Sequence, residues 1–393
     1  MILKPQAVLL VLFYTETQAL STDISNTDRR GYFRCPLPKC STCPSHGQLT
    51  QSGVGFALEM GYGTVAIRWH NGTIQHVARV EGSQPYLDLM KDLSLTTPTT
   101  RFPDDIPATH DRVQYVMNAL QRMVNKFVGF PANKQTRIIG EMLQKLKVLV
   151  EQASPSGQRV THAVVTSPDS MRLTAEEISD VLDYLRIKNL MQEPDELYST
   201  SAAYAGYNHG LCKSYTNPYV CDKEQAFDLP LERVLAVDFS DDALRITIKG
   251  MKSCTDMGAD AALIDSELGF AKGSSEDDMG ILFMKIRAQV REYVGRYRPR
   301  ITVIILTGTR VGEERFRQML REGLAGLVDR EVLVEALAVG DDTELDHVFA
   351  TARGAAEIAK RRLEGPVRCT WRNDCPSLQT VDLKKLEPGS VEL

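Results

Sequence analysis

The sequence feature that most constrains the fold is a strand, acid, turn and strand element that occurs twice. The first copy reads ALEMGYGTVAI around Glu59, and the second reads AVDFSDDALRITI around Asp238. In each copy an apolar strand is followed by an acidic residue, a turn of small or polar residues, and a second apolar strand. The recurrence predicts a duplicated α/β architecture of two lobes with a central cleft. Two unrelated hairpins are the alternative interpretation.

The stretches around the two copies alternate between helical and strand patterns, as an α/β fold requires. Asn71 and Gly72 form a tight turn that joins strands within residues 56–69 and 73–80. Apolar residues recur every three or four positions within residues 113–127 and 142–149, which predicts two amphipathic helices facing the core. The remaining predicted elements are a strand at 161–168, a helix at 173–187, a helix at 281–297, a strand at 301–309 and a helix at 312–324.

The N-terminus has the outline of a signal peptide over residues 1–19. Lys4 precedes an apolar run at residues 7–14, and small residues follow that run. The run is shorter than the roughly 20 residues of a membrane-spanning helix, so no membrane span is expected. We expect a protein of the secretory pathway, secreted or held in the endoplasmic reticulum lumen, whose mature chain begins near residues 20–22. An apolar first strand of a cytosolic domain is the alternative.

The eight cysteines lie where the sequence looks loop-like, and an oxidising compartment favours disulfides in such places. Residues 40–43 contain a single Cys-x-x-Cys spacing, whereas a zinc site would want a second one. Proximity in sequence predicts disulfides between Cys212 and Cys221 and between Cys369 and Cys375. Zinc binding is the alternative.

Composition bounds the class of protein. With 43% apolar residues, the 393-residue chain can bury a large core, which excludes a disordered chain. There are 46 basic and 51 acidic residues and no block of like charge, so nucleic acid is not an expected partner. The predicted organisation is a signal peptide (1–19), a cysteine-containing irregular leader (20–50), lobe I (51–232), a shortened lobe II (233–365) and a C-terminal tail (366–393).

A set of motifs in a fixed order carries the functional signal. In chain order they are EMGYGT, GEMLQKLKVLVEQ with RVTHAVVTSPDSMR, IKNLMQEPDELYSTSAAYAG, VLAVDFSDDALRITI, and ILTGTRVGEERFRQMLREGL followed by DHVFATARGAAEIAKRRL. Together they resemble the nucleotide-binding domain of the heat-shock protein 70 family. That domain has the actin-like ATPase fold, a duplicated ribonuclease H-like α/β fold of two lobes with a central cleft.

The resemblance implies a cleft for ATP with Mg²⁺, in which two turns direct backbone N–H groups at phosphates and carboxylates hold the metal through water. It implies Glu193 and Asp238 as catalytic residues, and Glu59 and Asp238 as metal-holding residues. The residues that it implies for cofactor binding are Glu59, Gly61, Gly63, Thr64, Ser240, Gly308 and Thr309. We expect the carboxylates of Glu59, Glu193 and Asp238 to meet on the cleft floor.

Three departures from the family's pattern bear on activity. The second turn carries Asp241 and Asp242 where the family has glycines, and these acids would both obstruct and repel a phosphate. Arg245 stands where the family has a metal-linked aspartate. The catalytic lysine has no clear counterpart, and Lys91 matches it by position alone. We therefore expect ATP to bind weakly and with dependence on Mg²⁺.

Two functions follow from these patterns. The first is a divergent heat-shock-70-like nucleotide-binding domain without a peptide-binding domain, with weak or absent ATP hydrolysis, acting as a folding-related or interaction module with a protein partner. The alternative is an active ATP hydrolase or small-molecule kinase of the same fold, which uses Glu193 or Asp238 as a base or water-positioning residue. The sequence leaves the oligomeric state open.

Overall fold

A computed structural model describes residues 39–42, 44–95, 109–154, 157–169, 171, 173–191, 196–256, 258–273, 275–297, 300–338, 347–365 and 367–370. The strands are β1 (Lys39–Thr42), β2 (Gly53–Leu58), β3 (Tyr62–Arg68), β4 (Ile74–Glu81), β5 (His162–Thr166), β6 (Lys188–Asn189), β7 (Glu232–Phe239), β8 (Leu244–Met251), β9 (Ala261–Asp265), β10 (Val303–Thr307) and β11 (Val367–Thr370). The α-helices are α1 (His46–Thr50), α2 (Gln84–Leu95), α3 (Thr109–Phe127), α4 (Lys134–Ala153), α5 (Ala175–Tyr184), α6 (Ser199–Gly206), α7 (Pro218–Lys223), α8 (Glu276–Tyr297), α9 (Glu314–Leu324), α10 (Arg330–Ala336) and α11 (Ala350–Glu364).

The two largest sheets of the described chain share one strand order. The first runs β4-β3-β2-β5-β6, and the second runs β10-β7-β8-β9. In each, three consecutive strands pair antiparallel and a later strand pairs parallel with the first of them. The predicted α/β class is confirmed, and each predicted strand–turn–strand element supplies the first two strands of a sheet. A strand equivalent to β6 is absent from the described part of the second sheet.

A pair of helices lies between the two sheets. Helix α11 packs on β2 and β3, where Gly53 and Gly55 leave no room for a side chain against its backbone. Helix α6 shares a core with β7 and β10 of the second sheet. The two helices touch at Gly206 and Gly354, and a methyl group on Gly354 would overlap the carbonyl oxygen of Ala202. The small residues thus let the two sheets approach on opposite sides of one helix pair.

The last strand of the first sheet, β6, ends at Asn189, and the second sheet begins with β7 at Glu232, next to the predicted boundary at residue 233. Helix α11, however, belongs by sequence to the predicted second lobe and packs on the first sheet. The chain therefore returns to the first sheet after completing the second. Local sequence does not show which sheet a helix packs on, because that depends on contacts between residues that are distant in sequence.

The helix predicted at residues 113–127 forms as α3, but its apolar side does not face the core. Met123 is 59% exposed and Phe127 is 92% exposed. On the polar side, the partly exposed Arg122 and Lys126 bind the buried carboxylate of Asp180 on α5. The prediction was right about the helix and wrong about its buried face. The neighbouring α4 does bury its apolar side, as predicted.

The leader and the tail contain regular structure that was not predicted. Strand β1, within the supposedly irregular leader, pairs antiparallel with β11 of the tail and brings Cys40 opposite Cys369. Helix α1 also lies in the leader and begins with a capping box between Ser45 and Gln48. Both elements are too short to produce a clear periodicity. The predicted signal peptide lies outside the described residues.

The predicted disulfide between Cys212 and Cys221 is present, with the Cα atoms 5.4 Å apart. Cys375, the predicted partner of Cys369, lies outside the described residues. In the part of the chain that the structure describes, none of the helices is both long enough and apolar enough to cross a bilayer.

Candidate functional site

Two turns face the space between the sheets. The turn between β2 and β3 is closed by the Glu59 N–H, which donates to the Tyr62 carbonyl oxygen over 2.8 Å. The turn between β7 and β8 is closed in the same way, by the Ser240 N–H and the Ala243 carbonyl oxygen 3.1 Å away. The structure thus repeats one hydrogen-bonding pattern at the end of each strand pair.

Glu59 and Asp238, which the sequence pairs as matching acids, are not equivalent in register. Glu59 is the first residue of its turn, whereas Asp238 lies within β7 and pairs with Arg245 on β8. The residue of the first sheet that matches Asp238 is Ala57, which pairs with Thr64. The offset is two residues, so both acids still project from the same face of their strands. The correspondence was wrong in register, but the two acids do meet.

Arg245 lies between the two carboxylates. Its Nη2 atom donates to Oε2 of Glu59 and lies 2.9 Å from Oδ2 of Asp238. The three side chains are only 7%, 3% and 7% exposed for Arg245, Glu59 and Asp238 respectively. Two buried carboxyl groups therefore share one buried cation, and the contact to Glu59 crosses from the second sheet to the first.

Neighbouring hydroxyl groups complete the hydrogen bonds of this cluster. The Thr307 hydroxyl donates to Oδ2 of Asp238 over 2.9 Å, because parallel pairing of β10 with β7 puts the two residues side by side. The Ser199 hydroxyl, at the start of α6, lies 3.5 Å from Oε1 of Glu59. Thr351, at the start of α11, also bonds to Glu59. Strand β10 and helices α6 and α11 therefore each contribute one hydroxyl group.

Burial dominates the electrostatics. It raises the pKa of Glu59 to about 7, although the Arg245 guanidinium opposes the shift and Asp238 adds to it. Desolvation also raises the pKa values of Tyr62 and Tyr86 well above the ordinary range. The two carboxylates keep Arg245 protonated and raise its pKa above the ordinary value. Glu59 is thus the group in this cluster whose charge changes near neutral pH.

A small cavity adjoins the cluster. Its volume is about 20 Å³, enough for one or two water molecules. Pockets that hold drug-sized ligands measure about 300–1,000 Å³. Arg245 Nε is buried without a hydrogen-bond partner among the described residues, so a water molecule in this cavity would satisfy it. The lining residues are Asp169, Ser199, Thr200, Ala203, Ala236, Asp238, Arg245, Thr247, Leu263 and Thr307.

The second turn closes against the first. The Asp242 carboxylate lies so close to Gly61 that a methyl group there would overlap it. Burial raises the pKa of Asp242, and the neighbouring Asp241 adds to the shift. Asp241 itself pairs with Arg310, with 2.8 Å between Oδ1 and Nε. The Ser240 hydroxyl bonds within its own turn, 3.3 Å from the Ala243 carbonyl oxygen.

Two residues of the predicted first phosphate turn lie elsewhere. Gly63 is within β3 and faces Met142 and Leu146 of α4, on the side of the sheet away from α11. Thr64 is fully buried in the same strand, and its hydroxyl has no partner among the described residues. Gly63 is therefore a packing residue. The first phosphate turn that the sequence predicts extends to Thr64, two residues too far, because β3 already begins at Tyr62.

The predicted nucleoside residues lie at the end of the second sheet. Gly308 has a φ of +104°, and a side chain there would overlap the Phe239 backbone. The Thr309 hydroxyl is buried without a partner in the described part of the chain. Lys91 is exposed on α2 and does not reach the cluster. Glu193 lies outside the described residues, so its predicted place on the cleft floor stays a prediction.

Several residues of the cluster were not predicted. Asp169 accepts a 2.9 Å hydrogen bond from the Thr200 backbone and so joins the end of β5 to α6. Thr307 was predictable in principle, because a strand that ends in Thr-Gly-Thr and runs parallel to β7 must bring a hydroxyl beside Asp238. Ser199 and Thr351 carry no local signal, since each reaches Glu59 only through packing of α6 and α11.

The residues present do not fit a magnesium ion with ATP. Arg245 already occupies the position between the two carboxylates that would hold the metal, and Asp242 occupies the approach to Gly61. The adjoining cavity is far smaller than a nucleotide. Within the described residues, no group of three His, Cys, Asp or Glu side chains is arranged to hold a metal ion.

Comparison with protein-family models and with curated proteins finds no match to this sequence. The geometry of the cluster and the order of the sequence motifs are therefore the features of this chain that bear on function.

Proposed function

We propose that this chain is a divergent heat-shock-70-like nucleotide-binding domain of the actin-like fold that has lost most or all ATP hydrolysis. The shared strand order of the two sheets, the helix pair between them and the facing turns support the fold. The motif order supports the family. In this proposal the domain acts as a folding-related or interaction module with a protein partner.

The observation that carries the loss of catalysis is Arg245 between Glu59 and Asp238. A guanidinium already lies between these two carboxylates, so a divalent cation could bind there only by displacing it. Phosphate would also meet the Asp242 carboxylate at Gly61. At about 4 Å, two like charges repel by about 4 kcal/mol at an effective dielectric constant near 20. Weak nucleotide binding is the expected result.

The disulfide between Cys212 and Cys221 supports a place in the secretory pathway, because such bonds persist in oxidising compartments. We propose a secreted or lumenal protein on this basis.

Calorimetric titration of ATP into the purified chain, with and without Mg²⁺, tests the proposed loss of function. We expect weak or undetectable binding and turnover near background. Replacing Asp241 and Asp242 together by glycine should tighten ATP binding at least tenfold, about 1.4 kcal/mol, because this change removes both the obstruction and the repulsion.

The matched control removes two exposed carboxylates outside the cleft, with Glu331→Gln and Glu335→Gln on α10. This variant should bind ATP no better than the original chain. Submicromolar ATP binding by the unmodified protein would contradict the proposal. Multiple turnover that Glu193→Gln abolishes would instead establish the active hydrolase or kinase.

A further inference from the structure

We propose that Arg245 is the resident cation of the cleft and fastens the two sheets together without a metal ion or a nucleotide. This inference deepens the proposed function, on which it rests, since it concerns the same cleft. It assigns the position that a divalent cation would take between two carboxylates to a side chain of the protein itself.

The first observation that supports this proposal is that strand pairing positions the guanidinium of Arg245. Arg245 is the register partner of Asp238, so antiparallel pairing of β7 with β8 holds their backbones side by side. The side chain then extends beyond Asp238 to Glu59, which stands at the end of β2 in the other sheet. One ion pair therefore lies within a sheet and the other crosses the cleft.

The second support is the balance of charge in a dry environment. Two buried carboxyl groups repel each other and lose their hydration when both are ionised, so a cation between them stabilises the ionised pair. The guanidinium is planar, carries several N–H donors and is more weakly hydrated than an ammonium group, which suits it to bridging two carboxylates. A water molecule in the adjoining cavity would satisfy its remaining buried donor.

The third support is that a divalent cation would have to compete with Arg245 for the two carboxylates. A divalent cation from solution would have to displace a guanidinium that is tethered to the same sheet and therefore present at a high effective concentration. Mg²⁺ also gives up its water ligands reluctantly. The arrangement predicts that neither Mg²⁺ nor a chelator alters the stability of the folded protein.

The first measurement uses the unmodified full chain and Mn²⁺ as the probe. We expect electron paramagnetic resonance to show no Mn²⁺ site that depends on Glu59 and Asp238, so the spectrum should match that of a Glu59→Gln, Asp238→Asn variant. Melting temperatures in chelator and in millimolar Mg²⁺ should agree. An Mn²⁺ site in the original chain that this double variant lacks would overturn the inference.

The second measurement removes the cation. Arg245→Ala should lower the equilibrium constant for folding at least a hundredfold in chelator, about 3 kcal/mol, because it leaves two buried carboxylates without a counter-charge. Added Mn²⁺ should recover part of that loss. The matched control is Arg233→Ala on β7, whose ion pair with Asp260 is exposed. A loss no larger than that of the control would overturn the inference.

A third variant covers the case in which Arg245→Ala does not fold. Arg245→Lys keeps the charge but cannot bridge two carboxylates as a planar fork, so we expect about a tenfold loss of folding stability and no response to Mn²⁺. Stability equal to that of the original chain would overturn the inference. ATP titration tests the proposed function separately. Tight ATP binding would contradict the proposed function, whereas the Mn²⁺ and stability measurements test the role of Arg245.

Discussion

Glu59→Gln is the substitution that most directly tests the electrostatics of the cleft. Glutamine has nearly the shape of glutamate and keeps an oxygen that can accept from Arg245, but it cannot ionise. Because burial raises the pKa of Glu59 from an ordinary value of 4.5 to about 7, the folded protein holds a proton there that the unfolded chain releases. The contribution of Glu59 to stability is therefore fully present below pH 4.5 and is lost as the pH rises towards 7.

The size of this change in unfolding free energy follows from the shift in the pKa of Glu59. One pKa unit corresponds to 1.36 kcal/mol, so a shift from 4.5 to about 7 amounts to about 3 kcal/mol of unfolding free energy. The side chain is 3% exposed, so solvent screening does not reduce this figure much. The unfolding free energy of the variant, minus that of the original chain, should therefore increase by about 3 kcal/mol across the same pH range.

Urea unfolding, followed by the tryptophan fluorescence of the chain from about pH 4.5 to about pH 8, measures this difference. The control is Asp260→Asn, which removes a carboxylate from an exposed ion pair, where little free energy is at stake. We expect the difference between the control and the original chain to stay nearly constant over the range. A constant difference for Glu59→Gln as well would refute the argument that burial outweighs the attraction of Arg245.

Two further predictions concern packing and covalent structure. Gly354→Ala should cost about 3 kcal/mol in unfolding free energy, because the new methyl group overlaps α6, whereas Gly280→Ala on α8 has open space and should cost nothing. The opposite order would contradict the packing of α6 on α11. Cys40 and Cys369 face each other across an antiparallel pair, whose Cα separation of about 4.5–5.5 Å suits a disulfide. Peptide mapping without reductant should recover this bond, and a Cys369–Cys375 peptide would contradict it.

The parts of the fold that the sequence predicts are those set by neighbouring residues. The turn at Asn71 and Gly72 and the strand pair around Asp238 follow from alternation and from residues that tolerate turns. The apolar side of α3 shows the limit of this reasoning. Its periodicity predicts burial, but Asp180, which is distant in sequence, is buried and attracts Arg122 and Lys126. Which side of a helix faces inward depends on such partners.

The residues of the candidate site likewise include some that local sequence predicts and some that depend on contacts distant in sequence. Glu59 and Asp238 were recognised because each follows an apolar strand, yet the two-residue offset between them appears only in the strand register. Arg245 was noticed as a departure from a family pattern, but its contact with Glu59 joins two sheets and has no local signature. Hydrogen bonds that depend on the packing of α6 and α11 could not be predicted for the same reason.

The departures at the second turn and on β8 have a common physical consequence. In a cleft that binds a nucleotide with its metal ion, the protein must leave the sites for the cation and for the phosphate empty, so that the ligand supplies both charges. Here the protein supplies both itself. Arg245 places a cation between Glu59 and Asp238, and Asp242 places an anion against Gly61. Both groups occupy positions that a bound metal ion and nucleotide would otherwise take, and the contact between Arg245 and Glu59 joins the two sheets.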